Sequence, residues 1–146
     1  MITPDGWSVK TLWRKSDANF CVEISQHCVQ HDDNTAHGRG PYRWCVYLYV
    51  YPKHPWFNEL MQIDTMMQVP QELQQYLHSY CSYFKKHSDG AKVTSIQIGA
   101  DYDHLHDEKY TYIKTAWDAT EIFSDAQALF DAAKRGISLT NLDTPV

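Results

Sequence analysis

The stretch Tyr42 to Tyr51, YRWCVYLYVY, constrains this chain more than any other. Almost every position is aromatic, β-branched or otherwise apolar. Such side chains suit a pleated surface and lose rotamer freedom in a helix. An apolar run without polar alternation predicts a central strand covered on both faces. Pro52 ends it, because proline has no N–H to give to a ladder. A strand of this kind is stable only inside a sheet, so the rest of the chain must supply neighbours and a covering layer.

The neighbours are legible from period and punctuation. In Asn19 to Val29, Phe20, Val22 and Ile24 alternate with Cys21, Glu23 and Ser25, which predicts a strand. His31 to Pro41 is polar, carries Gly38, Gly40 and Pro41, and reads as a loop. After Pro52, the pair His54-Pro55 keeps His54 out of helical angles. Trp56 to Met61 has room for one helical turn, and Gln71 to Tyr76, following Pro70, for a short helix. Leu77 to Lys85 predicts a further strand, with Leu77, Ser79, Cys81 and Tyr83 on one face and His78, Tyr80, Ser82 and Phe84 on the other. Asp89-Gly90 is a hairpin turn leading into Lys92 to Tyr102. Thr115 is a candidate N-cap with Asp118 three residues on. Ala119, Ile122, Phe123, Ala126, Leu129, Phe130 and Ala133 then form one apolar helical stripe, with Lys134 and Arg135 in its last turn and Gly136 ending it. Such a helix is marginal alone, so its stripe must lie on the sheet. The expected fold class is α+β: an antiparallel sheet of about four to five strands, one long C-terminal amphipathic helix packed on it, and short helical segments in the middle. One domain spans residues 1–146, with 136–146 as a loose tail.

Composition removes several classes. At 43% hydrophobic and 14% aromatic the chain is not a disordered one. No apolar run reaches the length of a membrane-spanning helix, so no membrane partner is expected. Met1 to Lys15 lacks the apolar core of a secretory signal, which makes the cytoplasm the expected location. A net charge of −5 argues against a direct nucleic-acid grip. Cys21, Cys28, Cys45 and Cys81 contain no C-x-x-C, so a zinc ribbon has no support, and reduced thiols are expected, with Cys21, Cys45 and Cys81 acting as small apolar groups in strands. No nucleophile elbow, Walker loop, dinucleotide fingerprint or H-E-x-x-H is present.

Chemistry concentrates in Gly99 to Glu108, GADYDHLHDE, which holds Asp101, Asp103, His104, His106 and Asp107. Imidazole and carboxylate together hold divalent metals or move protons. Asp101, His104 and Asp107 are three apart, and on an irregular turn they would converge. In an extended strand, Asp101, Asp103 and Asp107 share one face, and Tyr102, His104 and His106 the other. Two accounts stand: a polar strand end whose His and Asp groups cap one another or the backbone, or a divalent-metal site on Asp101, His104 and Asp107. His54, just beyond the central strand, and His78, at the start of the next, extend that site if both meet His104 at one sheet end. Trp44, Tyr47 or Tyr102 offer rings on which a nucleotide base can stack.

Three separated pieces carry a resemblance. Trp44, Tyr47, His54 and Pro55 stand in WCVYLYVYPKHP; His78, Ser82 and Tyr83 in HSYCSY; Gly99, Asp101, His104 and Asp107 in GADYDHLHD. In this order, from about Tyr42 to Arg135, the chain resembles a family of small phage and prophage proteins. That family's pattern has W-x-x-Y-x-x-x-x-x-x-H-P, H-G-G-x-T-Y and G-F-D-x-x-H-x-x-D segments before a C-terminal helix. The chain departs from it at Ser79-Tyr80, where the pattern has a glycine pair, at Ala100, where it has an aromatic, and at His106, where it has glycine. The resemblance implies a phage or mobile-element accessory protein in a bacterial cytoplasm. Such a protein would act by binding a host or defence protein, as an inhibitor of a defence system or other host process. On that reading Trp44, Tyr47, His54, His78, Tyr83, Asp101, His104 and Asp107 form a binding set, with no catalytic residue and no cofactor. The alternatives are a metal-dependent hydrolase using Asp101, His104 and Asp107 with a divalent metal, and a nucleotide- or small-molecule-binding module.

Overall fold

The computed structural model describes residues 7–29 and 39–139. Strands β1 (Trp7–Ser16), β2 (Phe20–Val29), β3 (Tyr42–Val50), β4 (Tyr83–Asp89) and β5 (Lys92–Asp101) form one sheet in the order β1-β2-β3-β5-β4. Every neighbouring pair is antiparallel. The aromatic run is the central strand. Between β3 and β4 lie two single-turn helices, α1 (Phe57–Leu60) and α2 (Gln71–Gln74), and α3 (Thr120–Arg135) follows β5. The class is α+β, as the periodicities imply.

Register aligns the apolar positions. Phe20 faces Val50, Val22 faces Leu48 and Ile24 faces Val46 across β2 and β3. On the other side of β3, Ile96 faces Val50, Ile98 faces Leu48 and Ala100 faces Val46. This one face is buried and meets Ile122, Ala126, Leu129, Phe130 and Ala133 of α3 in a single cluster. Burying each large side chain there contributes about 1.5–3 kcal/mol. Leu60 of α1 and Leu73 of α2 join the same cluster. The helical layer therefore covers β3 on one face only among the described residues, not on both. On the opposite face Tyr47 and Tyr49 are half-buried among their own neighbours, and Tyr47 meets Tyr83 edge-on at 5.5 Å. Gly99 makes this close packing feasible: a Cβ there would lie 2.3 Å from the Tyr47 ring.

Several expectations need correction. β1 was invisible to period-two reading because the register shifts between Thr11 and Trp13, so consecutive Leu12 and Trp13 both pack against the core. The strand expected over Leu77 to Lys85 begins only at Tyr83. Ser79 has φ 64 and the Tyr80 N–H donates to the His78 carbonyl at 2.7 Å, a tight turn that no strand accommodates. His78 and Cys81 consequently sit before β4. Thr115 does not cap the long helix. It opens a 3₁₀ turn over Ala116–Asp118, its hydroxyl donating to Asp118 at 3.0 Å, and α3 starts after Ala119. Gly136 ends α3 in the left-handed region, as its position predicts. The tail is docked where it begins: Leu139 is fully buried and the Ile137 carbonyl accepts the Trp56 indole N–H at 2.6 Å. Residues 140–146, and 31–38 of the expected loop, lie outside the described residues. Among the described residues no helix is long and apolar enough to cross a membrane.

Candidate metal centre

Asp101 closes β5 opposite Cys45 at the start of β3. Beyond it the chain doubles back. The Asp107 N–H donates to the His104 carbonyl at 3.0 Å, and His106 adopts φ 74 to complete the turn. This irregular turn resolves the conflict in the spacing: extended backbone would separate His104 from Asp107, and the turn brings them together. The Asp107 carboxylate, almost fully buried, accepts the His104 backbone N–H at 2.9 Å. His78 arrives from the other tight turn and places Nε2 2.9 Å from both Asp107 oxygens.

The surroundings are aromatic. The His78 ring stacks on Tyr102 at 4.2 Å and meets the Tyr110 edge at 5.3 Å, while Tyr80 lies 4.4 Å from the His104 ring. Two of these walls are tied to α3: Tyr102 donates to Asp125 at 2.7 Å and Tyr110 to Glu121 at 3.3 Å. Burial, reinforced by Asp125, pushes the Tyr102 phenol far above its usual range, so it stays a neutral donor.

His104 is the anomaly. Its side chain is 11% exposed, and both ring nitrogens are buried without a hydrogen bond. Nδ1 lies 3.4 Å from Asp107 Oδ2 and Nε2 lies 3.5 Å from Asp101 Oδ1, long charge contacts that close no hydrogen bond. An unsatisfied buried polar group costs about 1–3 kcal/mol. Ligand atoms of His78, His104 and Asp107 all lie within 4.8 Å of one another. Two imidazoles and a carboxylate are a donor set for first-row divalent ions, and an ion would take the place of the hydrogen bond between His78 and Asp107.

The other expected site residues fall elsewhere. His54 follows the far end of β3, so the three histidines do not meet. Its Nε2–H donates to the Ala133 carbonyl at 2.8 Å and its Nδ1 accepts the Trp56 N–H at 3.0 Å, which makes it a cap on the last turn of α3. Trp44 is core, its indole N–H donating to the Ile113 carbonyl at 3.0 Å. Tyr47 borders a cavity that Asp101 also lines, and Tyr83 packs beside Tyr47 on the open face. The cysteines are free thiols. Burial pushes Cys45 up to about 11, so it is no nucleophile near neutral pH.

Sequence reasoning missed Arg39 and Arg43, which pair with Asp103 beside the cluster, and the ring contacts of Tyr80 and Tyr110. Among the described residues, the non-glycine positions with positive φ are Ser79 and His106, and neither residue type announces such a turn. Comparison with protein-family models, curated proteins and solved structures gave no match.

Proposed function

We propose that the protein is a metal-dependent hydrolase whose centre is a first-row divalent ion held by His78, His104 and Asp107. The observation that carries this reading is His104, a buried imidazole with neither nitrogen hydrogen-bonded, set against two carboxylates and a second imidazole. A structural histidine has its nitrogens satisfied, as His54 does. An ion supplies His104 with the missing partner. Three protein ligands leave a position for water, whose pKa the ion lowers toward neutrality. Asp101, half-exposed and with Oδ1 3.5 Å from His104 Nε2, would accept that water's proton. The resemblance adds a setting: a phage or mobile-element protein in the cytoplasm of a bacterial host, with a small molecule as the partner and a host or defence process as the target.

The test is titration of purified protein with Zn(II), Mn(II) and Co(II), followed by calorimetry and thermal melting. One equivalent of ion is expected to bind. At a free concentration about a hundred times Kd it should stabilise the fold by about 2.7 kcal/mol. His104→Ala should abolish this shift while remaining folded. Native protein whose melting is unmoved by all three ions and by chelator would refute the proposal.

A further inference from the structure

We infer that the substrate is a phosphate ester, seated in the cavity beside the metal centre with its anionic end on Arg39. This rests on the metal-centre reading and adds the substrate class. A cavity of about 330 Å³ opens on the free face of the sheet and is lined by Arg39, Arg43, Cys45, Tyr47, Asp101 and Asp103 among others. That volume is in the range of small-molecule sites. A second cavity of about 250 Å³ is lined by Arg39, Asp103, His104, Leu105 and Glu108. Arg39 and Asp103 are common to both, so the guanidinium stands between the open cavity and the imidazole of the cluster. Asp101 makes the same connection: it lines the larger cavity, and its Oδ1 lies 3.5 Å from His104 Nε2.

The two arginines have different tasks. Arg43 is buried, donates to the Gly40 and Tyr42 carbonyls at 2.6 and 3.0 Å, and holds Asp103 from 3.6 Å. It is an anchor. Arg39 donates to the same Asp103 oxygen through one nitrogen, and its side chain keeps 34% exposure. A guanidinium has five N–H donors in a planar fork suited to two oxygens of one anion.

Charge fixes the order of events. The corner holds two guanidiniums against the three carboxylates of Asp101, Asp103 and Asp107, with Glu108 on the far cavity adding to the negative side. Without an ion the corner is net negative and disfavours an anion; a divalent ion offsets that charge and leaves Arg39 to attract one. A tetrahedral phosphate can place one oxygen on the ion and others on Arg39, while Tyr47 and Cys45 offer apolar surface to the organic group. Hydrolysis there forms a bond from the water oxygen to phosphorus and breaks the ester P–O bond. One water proton passes to the departing alcohol oxygen and the other stays with the phosphate.

The experiment loads the native protein with whichever of Zn(II), Mn(II) and Co(II) binds best and titrates phenyl phosphate and benzoate by calorimetry. Phenyl phosphate is expected to bind the loaded form at least about ten-fold tighter than the metal-free form, and about ten-fold tighter than benzoate. Arg39→Gln should lose about ten-fold in phenyl phosphate affinity with ion affinity and melting temperature unchanged. Unchanged phenyl phosphate affinity in Arg39→Gln, or benzoate binding as tightly, overturns the inference while leaving the metal reading intact. Failure of the native protein to bind any of the three ions overturns the metal reading and this inference with it.

Discussion

Ser79 and His106 hold the two turns that present His78 and Asp107, and each pays for it in backbone conformation. Their φ values of 64 and 74 lie in the left-handed region, which costs an L-residue about 1–2 kcal/mol relative to glycine. Glycine loses about 0.4–1 kcal/mol of this advantage through the greater freedom of its unfolded chain. Both side chains are exposed, so their removal forfeits little packing. Ser79→Gly and His106→Gly should therefore each stabilise the protein by about 0.5–1 kcal/mol, which for a chain of this size raises the melting temperature by roughly 2–4 °C. Gly90 provides the reverse experiment inside the same molecule. Its φ is 67, and a Cβ there would meet nothing within 4 Å, so Gly90→Ser imposes the same conformation with no clash. It should lower stability by about the same amount. Urea unfolding followed by circular dichroism measures all three. If Ser79→Gly and His106→Gly are neutral or destabilising while Gly90→Ser destabilises, the side chains at 79 and 106 repay the strain and the reasoning fails.

Three further outcomes follow from other parts of the structure. Burial holds the His54 pKa below its ordinary value, so the unfolded chain takes up a proton that the folded one refuses; stability should fall as pH drops below about 6.5 and be flat above it. His27 is shifted the same way by burial. His54→Gln should therefore show a shallower loss of stability than the native protein between about pH 6.5 and pH 5, and equal slopes would refute the assignment. Gly99→Ala should cost about 1–3 kcal/mol by thermal melting, since its Cβ would lie 2.3 Å from the Tyr47 ring and 2.7 Å from the Val46 carbonyl; a loss near zero would show that Tyr47 is free to move. Without metal, Asp107→Ala should cost about 3–5 kcal/mol by stranding His78 and the His104 N–H, and Asp107→Asn only about 1–2 kcal/mol because the amide can still bond to both; equal costs would place the stabilisation in charge alone.

The sheet and the long helix were legible because their signals are periodic and local. Phe20, Val22 and Ile24 alternate, Tyr42 to Val50 is apolar or aromatic at every position but Arg43, and the α3 stripe recurs every three or four residues, so each element declares its type, although the unbroken run of β3 does not tell which face the helices cover. β1 was not legible because one shifted position, at Leu12, puts two successive apolar residues on the core side. The candidate centre was half legible for a related reason. Composition alone brought forward Asp101, His104 and Asp107, but whether they converge depends on a single left-handed residue, His106, whose identity gives no warning. His78 enters only because Ser79 breaks what reads as a continuous strand. Histidine and serine in that region carry a conformational cost that glycine does not, and a serine or histidine looks ordinary in either place.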